Sequence, residues 1–171
     1  TSGYVENSFK WRGNWAWRLH VNQENGGDRS TAKYLLNNTG MRENDFSLTL
    51  GYSHNAWRFE TGYSLFAQKI GVMQSAQMGN EQLLQERIRL GRPVDVSPFS
   101  RHIGYPHQKI NHHTAWVKAF FDDQRLGNFT FQSTFQQDNR RENRIRRMNH
   151  SDIPTVSLHL KSLQNSLIWN K

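Results

Sequence analysis

The sequence predicts an all-β chain: an antiparallel up-and-down sheet of about seven strands, forming a segment of a transmembrane β-barrel, with alternating short turns and long loops and one short loop helix. Three observations carry this. Apolar and polar residues alternate with period two through most strand-length segments, which gives each strand one apolar and one polar face. The connections alternate between a few residues and fifteen or more. Aromatic residues flank the short turns, where the interface girdle of a membrane barrel sits.

Composition removes other classes. A chain of 171 residues amounts to one domain or to a piece of a larger one. It carries 22 Lys and Arg against 14 Asp and Glu, a formal charge of +8, and it is polar, with 35% hydrophobic residues of which many are aromatic. Without cysteine there are no disulfides, thiolate metal sites or cysteine nucleophiles. No apolar run is long enough for a transmembrane helix, and Thr1 to Lys10 lack the pattern of a signal peptide. Hydropathy averages are blind to β-barrels, whose strands alternate lipid-facing and lumen-facing residues.

The first strand is expected near residues 4–11, from Val5, Phe9 and Trp11 alternating with Glu6, Ser8 and Lys10. The second, near 14–22, sets Trp15, Trp17, Leu19 and Val21 against Ala16, Arg18 and His20. The third, near 45–53, has Phe46, Leu48, Leu50 and Tyr52 on one face. The fourth, near 56–68, has Trp57, Phe59, Tyr63 and Leu65, interrupted by Thr61. The fifth, near 113–122, reads Ala115, Val117, Ala119 and Phe121, with Trp116 and Phe120 on its other face. The sixth, near 128–138, has Phe129, Phe131 and Phe135, interrupted by Ser133. In the seventh, near 156–170, the apolar phase flips around Ser162, which predicts a bulge or short break.

Short turns are expected at Arg12 to Asn14, His54 to Ala56 and Asp122 to Gly127; long loops at Gln23 to Asp45, Gly71 to about His112, and Gln137 to about Thr155. Loops of such length are uncommon in compact domains, and a soluble sandwich has no reason to sort them onto one rim. Trp11 and Trp15 flank the first short turn and Tyr52 and Trp57 the second, which makes these four the lipid-interface girdle; the alternative is the core of a sandwich. Within the second long loop, Asn80 to Leu90 predicts an amphipathic helix packed on the loop. Asn80 would be its N-cap, Leu83, Leu84 and Ile88 its apolar face and Gly91 its stop.

Several phrases then resemble the barrel of TonB-dependent outer-membrane receptors of the Bacteroidetes type. They are Asn38-Thr39-Gly40-Met41-Arg42-Glu43, leading into the third strand; Phe99 to Gln108, followed by His112-His113; and Arg144 to Arg147 with Ser151-Asp152-Ile153-Pro154. With the strands between them, the resemblance covers nearly the whole chain. It implies a parent chain with an N-terminal plug inside a barrel of about 22 strands, of which residues 1–171 are a partial barrel domain with the plug absent. The ending at Asn170-Lys171, without a terminal aromatic strand signal, and the odd strand count agree with a fragment. Two open edges in hydrocarbon would cost several kcal/mol per unpaired backbone group, on the order of the penalty for any buried orphan. The implied partners are outer-membrane lipid, the rest of the chain, the TonB energy-coupling protein through the missing part, and a small-molecule metal chelate. The implied location is the outer membrane of a Gram-negative bacterium. The implied cargo is a ferric siderophore, with haem, cobalamin or a glycan as alternatives. The competing reading is a secreted, soluble β-sandwich or lipocalin-like module for a carbohydrate or anion.

Candidate chemistry is sparse. His102, His107, His112 and His113 fall close together, but His112 and His113 point to opposite faces of a strand and no carboxylate pattern accompanies them, so no metal site and no cofactor are assigned. Five arginines gather in Arg140, Arg141, Arg144, Arg146 and Arg147. Arg140, Arg141 and Arg144 are the candidates for attracting an anionic ligand at the outer mouth. The alternative is a solvated strand end facing lipopolysaccharide. Nucleic acid is not expected, since the aromatics follow strand alternation and do not interleave with the arginines. Glu60 is expected beside Arg58 as a neutralised lumen pair. No nucleophile elbow or phosphate loop is present, so no catalytic residue is assigned and the chain is not read as an enzyme.

Overall fold

The computed structural model describes residues 2–11, 14–73, 75, 81–92, 96–146 and 150–171, with 2–11 and Leu83 described by backbone alone. Its long strands are β1 (Ser2–Trp11), β2 (Trp15–Gly26), β5 (Met41–His54), β6 (Trp57–Gly71), β7 (His107–Asp123), β8 (Gly127–Asn143) and β9 (Val156–Asn170). A two-residue hairpin, β3 (Arg29–Ser30) with β4 (Leu35–Leu36), decorates the first long loop, and α1 (Glu81–Leu90) lies in the second. The seven long strands form one antiparallel sheet in the order β1-β2-β5-β6-β7-β8-β9, each paired with the next in the chain. The sheet is not closed: among the described residues β1 pairs with β2 alone and β9 with β8 alone.

Register turns the separate alternations into one surface. Leu19 lies opposite Leu48, Leu48 opposite Tyr63, Tyr63 opposite Ala115, Ala115 opposite Phe135 and Phe135 opposite Leu163. Every apolar stripe expected for the second to sixth strands therefore falls on the same face. The interruptions coincide as well, because Thr61, Val117, Ser133 and Asn165 form a single row. The Thr61 hydroxyl donates to the Trp116 carbonyl at 2.9 Å, so its polarity is satisfied within the sheet.

Among the described residues no second layer lies over this face. Trp15, Leu50, Trp57, Phe59, Tyr63, Val117, Phe131, Phe135, Leu163 and Leu167 are all exposed, and Ile103 and Pro106, both in the second long loop, are the buried apolar side chains among the described residues. A domain in water covers such a face with another sheet or with helices. Each large apolar side chain left uncovered forgoes roughly 1.5–3 kcal/mol.

The strands outrun their expected ends at the long-loop rim. β2 continues to Gly26, β5 begins at Met41, β6 reaches Gly71, β7 begins at His107 and β8 reaches Asn143. These extensions are mostly polar on both faces, with Met41, Ile70 and Ile110 as the exceptions, so they carry no sustained alternation and backbone pairing builds them. The bulge expected near Ser162 is absent: Phe135, Gln136 and Gln137 pair in unbroken register with Leu163, Ser162 and Lys161. The phase flip arises because Leu158 and Leu160 lie on the polar face of the edge strand, 56% and 66% exposed, where no neighbour forces a choice.

Connections alternate as the strands do. Asn55-Ala56 joins β5 to β6, with Asn55 at φ 51°, a left-handed conformation that asparagine tolerates. Gln124 to Leu126 joins β7 to β8, held by the Asp123 carboxylate accepting from the Arg125 and Leu126 amides at 2.8 Å each. The other rim carries residues 27–40, 72–106 and 144–155. In α1, Gly91 at φ 62° closes the last turn with its amide directed at the Arg87 and Ile88 carbonyls. The expected N-cap Asn80 and the Leu83 side chain lie outside the described residues. Of the expected apolar face, Leu84 and Ile88 remain exposed, and among the described residues the helix is tied to the loop by a hydrogen bond from Arg87 to the Ser75 carbonyl.

Candidate functional site

Three features of the sheet have chemical character: an aromatic row at the short-turn rim, a polar face, and a set of stapled loops at the other rim. Of the expected girdle, Trp15 and Tyr52 touch at 4.6 Å between ring centroids, and Trp57 stacks on Phe59 at 5.6 Å. Trp11 pairs with Trp15 in register, and its side chain lies outside the described residues. The row extends beyond the expected members. Trp57 meets Phe121 at 4.6 Å, Phe121 meets Phe129 at 6.3 Å, and Phe129 meets Trp169 at 6.2 Å. The Trp169 indole donates to the Leu126 carbonyl at 2.8 Å in the turn below, so the ring presents an apolar body with its polar edge towards the rim. Phe121, Phe129 and Trp169 were readable as strand-end aromatics; only the register aligns them with Trp57.

The opposite face carries the charge pairs. Glu60 lies 3.8 Å from Lys118 and accepts from the Trp116 indole at 3.3 Å. The expected partner Arg58 instead sits 5.2 Å from the Phe120 ring centre, because Phe120 lies directly opposite it on β7. Gly62 is the seat of the Trp116 ring, which would collide with any Cβ at that position. His112 faces Asp138 at 3.8 Å on this side, whereas His113 is hydrogen-bonded to Tyr63 at 2.7 Å on the apolar side. His107 contacts the Gly104 carbonyl at 2.9 Å, and His102 is exposed, so the four histidines do not converge. His107 opens β7 at the loop rim, well beyond the apolar rows. Burial holds its pKa below the ordinary value, and Lys69 and Lys109 add to this against the opposing Gly104 hydrogen bond.

The arginine candidates also separate. Arg140 and Arg141 are strand residues of β8, not loop residues, because pairing continues to Asn143. Their side chains therefore take opposite faces. Arg140 pairs with Glu142 at 2.8 Å on the polar face, Arg141 lies across from Lys109 on the other, and Arg144 is exposed beyond the strand end. Arg147 is outside the described residues.

What the loop rim does bring together are the phrases of the sequence. Asn38, 7% exposed and at φ 55°, donates to the Val72 carbonyl at 2.7 Å and the Pro106 carbonyl at 2.8 Å, and accepts from the Gly104 amide at 2.8 Å. Asp28, also buried, accepts from the Thr39 amide at 3.0 Å and the Ser100 amide at 3.1 Å. One buried asparagine and one buried aspartate thus fasten the Asn38–Glu43 phrase to the Phe99–Gln108 phrase. A second buried asparagine, Asn143, donates at 2.9 Å to both the Ser151 and Asp152 carbonyls and fixes the third. These long-range bonds satisfy backbone groups of the irregular loops, and at the Pro106 carbonyl the side chain adds to a bond from the Val72 amide.

No family model, no curated protein and no solved structure matches this chain.

Proposed function

We propose that the chain is part of the barrel of a TonB-dependent receptor in the outer membrane of a Gram-negative bacterium. In this reading the apolar face meets lipid, the polar face lines the lumen, and the stapled loops form part of the outer mouth. The observation that carries it is the uncovered apolar face. Along β6 it runs from Trp57 to Leu65, nine residues, within the roughly 9–11 that a tilted transmembrane strand needs. The aromatic row closes it at the short-turn rim, as a girdle does.

The rest of the parent chain would supply the remaining strands and the plug, and the plug would engage the energy-coupling protein. The cargo class rests on the resemblance: a ferric siderophore first, with haem, cobalamin or a glycan as alternatives. Arg140 on the lumen side and Arg144 at the mouth are the cations placed to attract an anionic chelate.

Intact mass and peptide mapping of the native protein from a detergent-extracted outer-membrane fraction test the reading. The expected result is a parent several times heavier than 20.1 kDa, with plug peptides upstream. A 20.1 kDa species in the soluble fraction would instead establish the sandwich module.

A further inference from the structure

The register that aligns the apolar rows also aligns charges. On the apolar face, past Phe46 and Leu65, comes a row of Asn44, Ala67, Asn111 and Asn139, and then a row of Arg42, Lys69, Lys109 and Arg141, one cation on each of four adjacent strands. Neighbouring strands lie about 4.8 Å apart, so four like charges stand side by side, an arrangement that is destabilising without a counter-charge. No ion pair reaches any of the four among the described residues. Lys69 and Arg42 are directed at loop carbonyls, Ile103 at 3.1 Å and Arg101 at 3.5 Å. Lys109 and Arg141 are exposed, and with Asn111 and Asn139 they line an open hollow of about 210 Å³.

The segregation of acids between the two faces is sharper still, although cations such as Arg58, Lys118 and Arg140 lie on the polar face too. From β2 to β9 the apolar face bears Arg42, Lys69, Lys109, Arg141 and Lys161, and its one carboxylate is Asp123 at the far rim. Glu24, Glu43, Asp45, Glu60, Asp122, Asp138 and Glu142 all lie on the polar face. A face meeting only water has no reason to exclude acids so completely.

We infer that this basic row binds the phosphate groups of an anionic lipid in the outer leaflet, a phosphorylated glycolipid such as the lipid A part of lipopolysaccharide. Lys109, Arg141, Asn111 and Asn139 form the headgroup seat. The inference rests on the receptor reading above, which makes this face lipid-facing. The row lies four residues past Phe46 and Leu65, about 13 Å along the strand and about 9 Å in height at a 45° tilt, which is headgroup depth. The apolar rows beneath would take the acyl chains.

The test uses the full-length receptor, purified in detergent and titrated in native mass spectrometry with hexa-acylated lipid A bearing two phosphates, with the same lipid stripped of phosphate, and with inorganic phosphate. The expected result is retention of the phosphorylated lipid only, weakened about tenfold or more by Lys109→Gln with Arg141→Gln and by raised salt. Arg58→Gln, on the other face, should leave it unchanged. Equal retention of both lipids, equal retention by the double variant, or binding of inorganic phosphate as tight as that of the lipid would overturn the inference while leaving the receptor reading intact. Recovery of the wild-type protein as a soluble species would remove the receptor reading itself.

Discussion

On the receptor reading, replacing Val117 with arginine is expected to destabilise the protein in its membrane by roughly 2–4 kcal/mol, the cost of a cation at the middle of a lipid-facing strand. Val117 occupies the central row of the apolar face and is 47% exposed in the open sheet. In a water-facing sheet the same substitution would be close to neutral. Two companions sharpen the test. Thr134→Arg, opposite Trp116 on the polar face, should cost little. Gln137→Arg, on the apolar face but two rows nearer the loop rim, should cost about 0–1 kcal/mol. The check is the yield of folded protein in the outer-membrane fraction, with denaturant midpoints in lipid. A cost that ignores depth would mean that protein, not lipid, covers this face.

The second large effect is expected at Asn38. Asn38→Asp removes both amide donors and sets a carboxylate against the Val72 and Pro106 carbonyls; the Val72 carbonyl loses its side-chain donor and the Pro106 carbonyl keeps only the Val72 amide. At about 1–3 kcal/mol for the orphaned carbonyl, with the repulsion of the carboxylate added, the loop rim loses at least about 1–3 kcal/mol of local stability. Asn38→Gly tolerates the φ of 55° and gives up the Gly104 bond as well, but it sets no charge against the two carbonyls and leaves room for water, so it should be the milder variant. Hydrogen exchange is the readout: amides in residues 96–106 should exchange faster, with the β5 and β6 ladders still protected, because the staple lies outside the sheet. Unchanged protection in that loop would show that Asn38 does not hold it.

The alternation of Trp15 to Val21, Phe46 to Tyr52 and Trp57 to Leu65 made the strands and their faces legible, since period two is a local property. The polar strand ends at Gln23 to Gly26 and Asn139 to Asn143 were not, because backbone pairing with a distant partner leaves no mark on composition. Leu158 and Leu160 misled for the converse reason: the edge strand packs against one neighbour, which relaxes its pattern without a bulge. The basic row was invisible for a similar reason. Arg42, Lys69 and Lys109 are scattered singly through the chain and Arg141 sits within the conspicuous arginine run; only strand register lines the four up, while the other described arginines of that run, Arg140, Arg144 and Arg146, fall on the opposite face or beyond the strand end. Asn38 and Asp28 gave no signal beyond their phrase, since their partners lie up to 72 positions away.

The central claim is that the apolar face meets lipid. Spin labels at single cysteines replacing residues 115 to 119 of β7, in the full-length protein with any cysteine outside this stretch first replaced, test it directly. In bilayers, labels at 115, 117 and 119 should be accessible to dissolved oxygen and closed to a polar nickel reagent, and labels at 116 and 118 the reverse. Labels at 115, 117 and 119 that are immobile and closed to both reagents would place the apolar face inside a protein core and contradict the account.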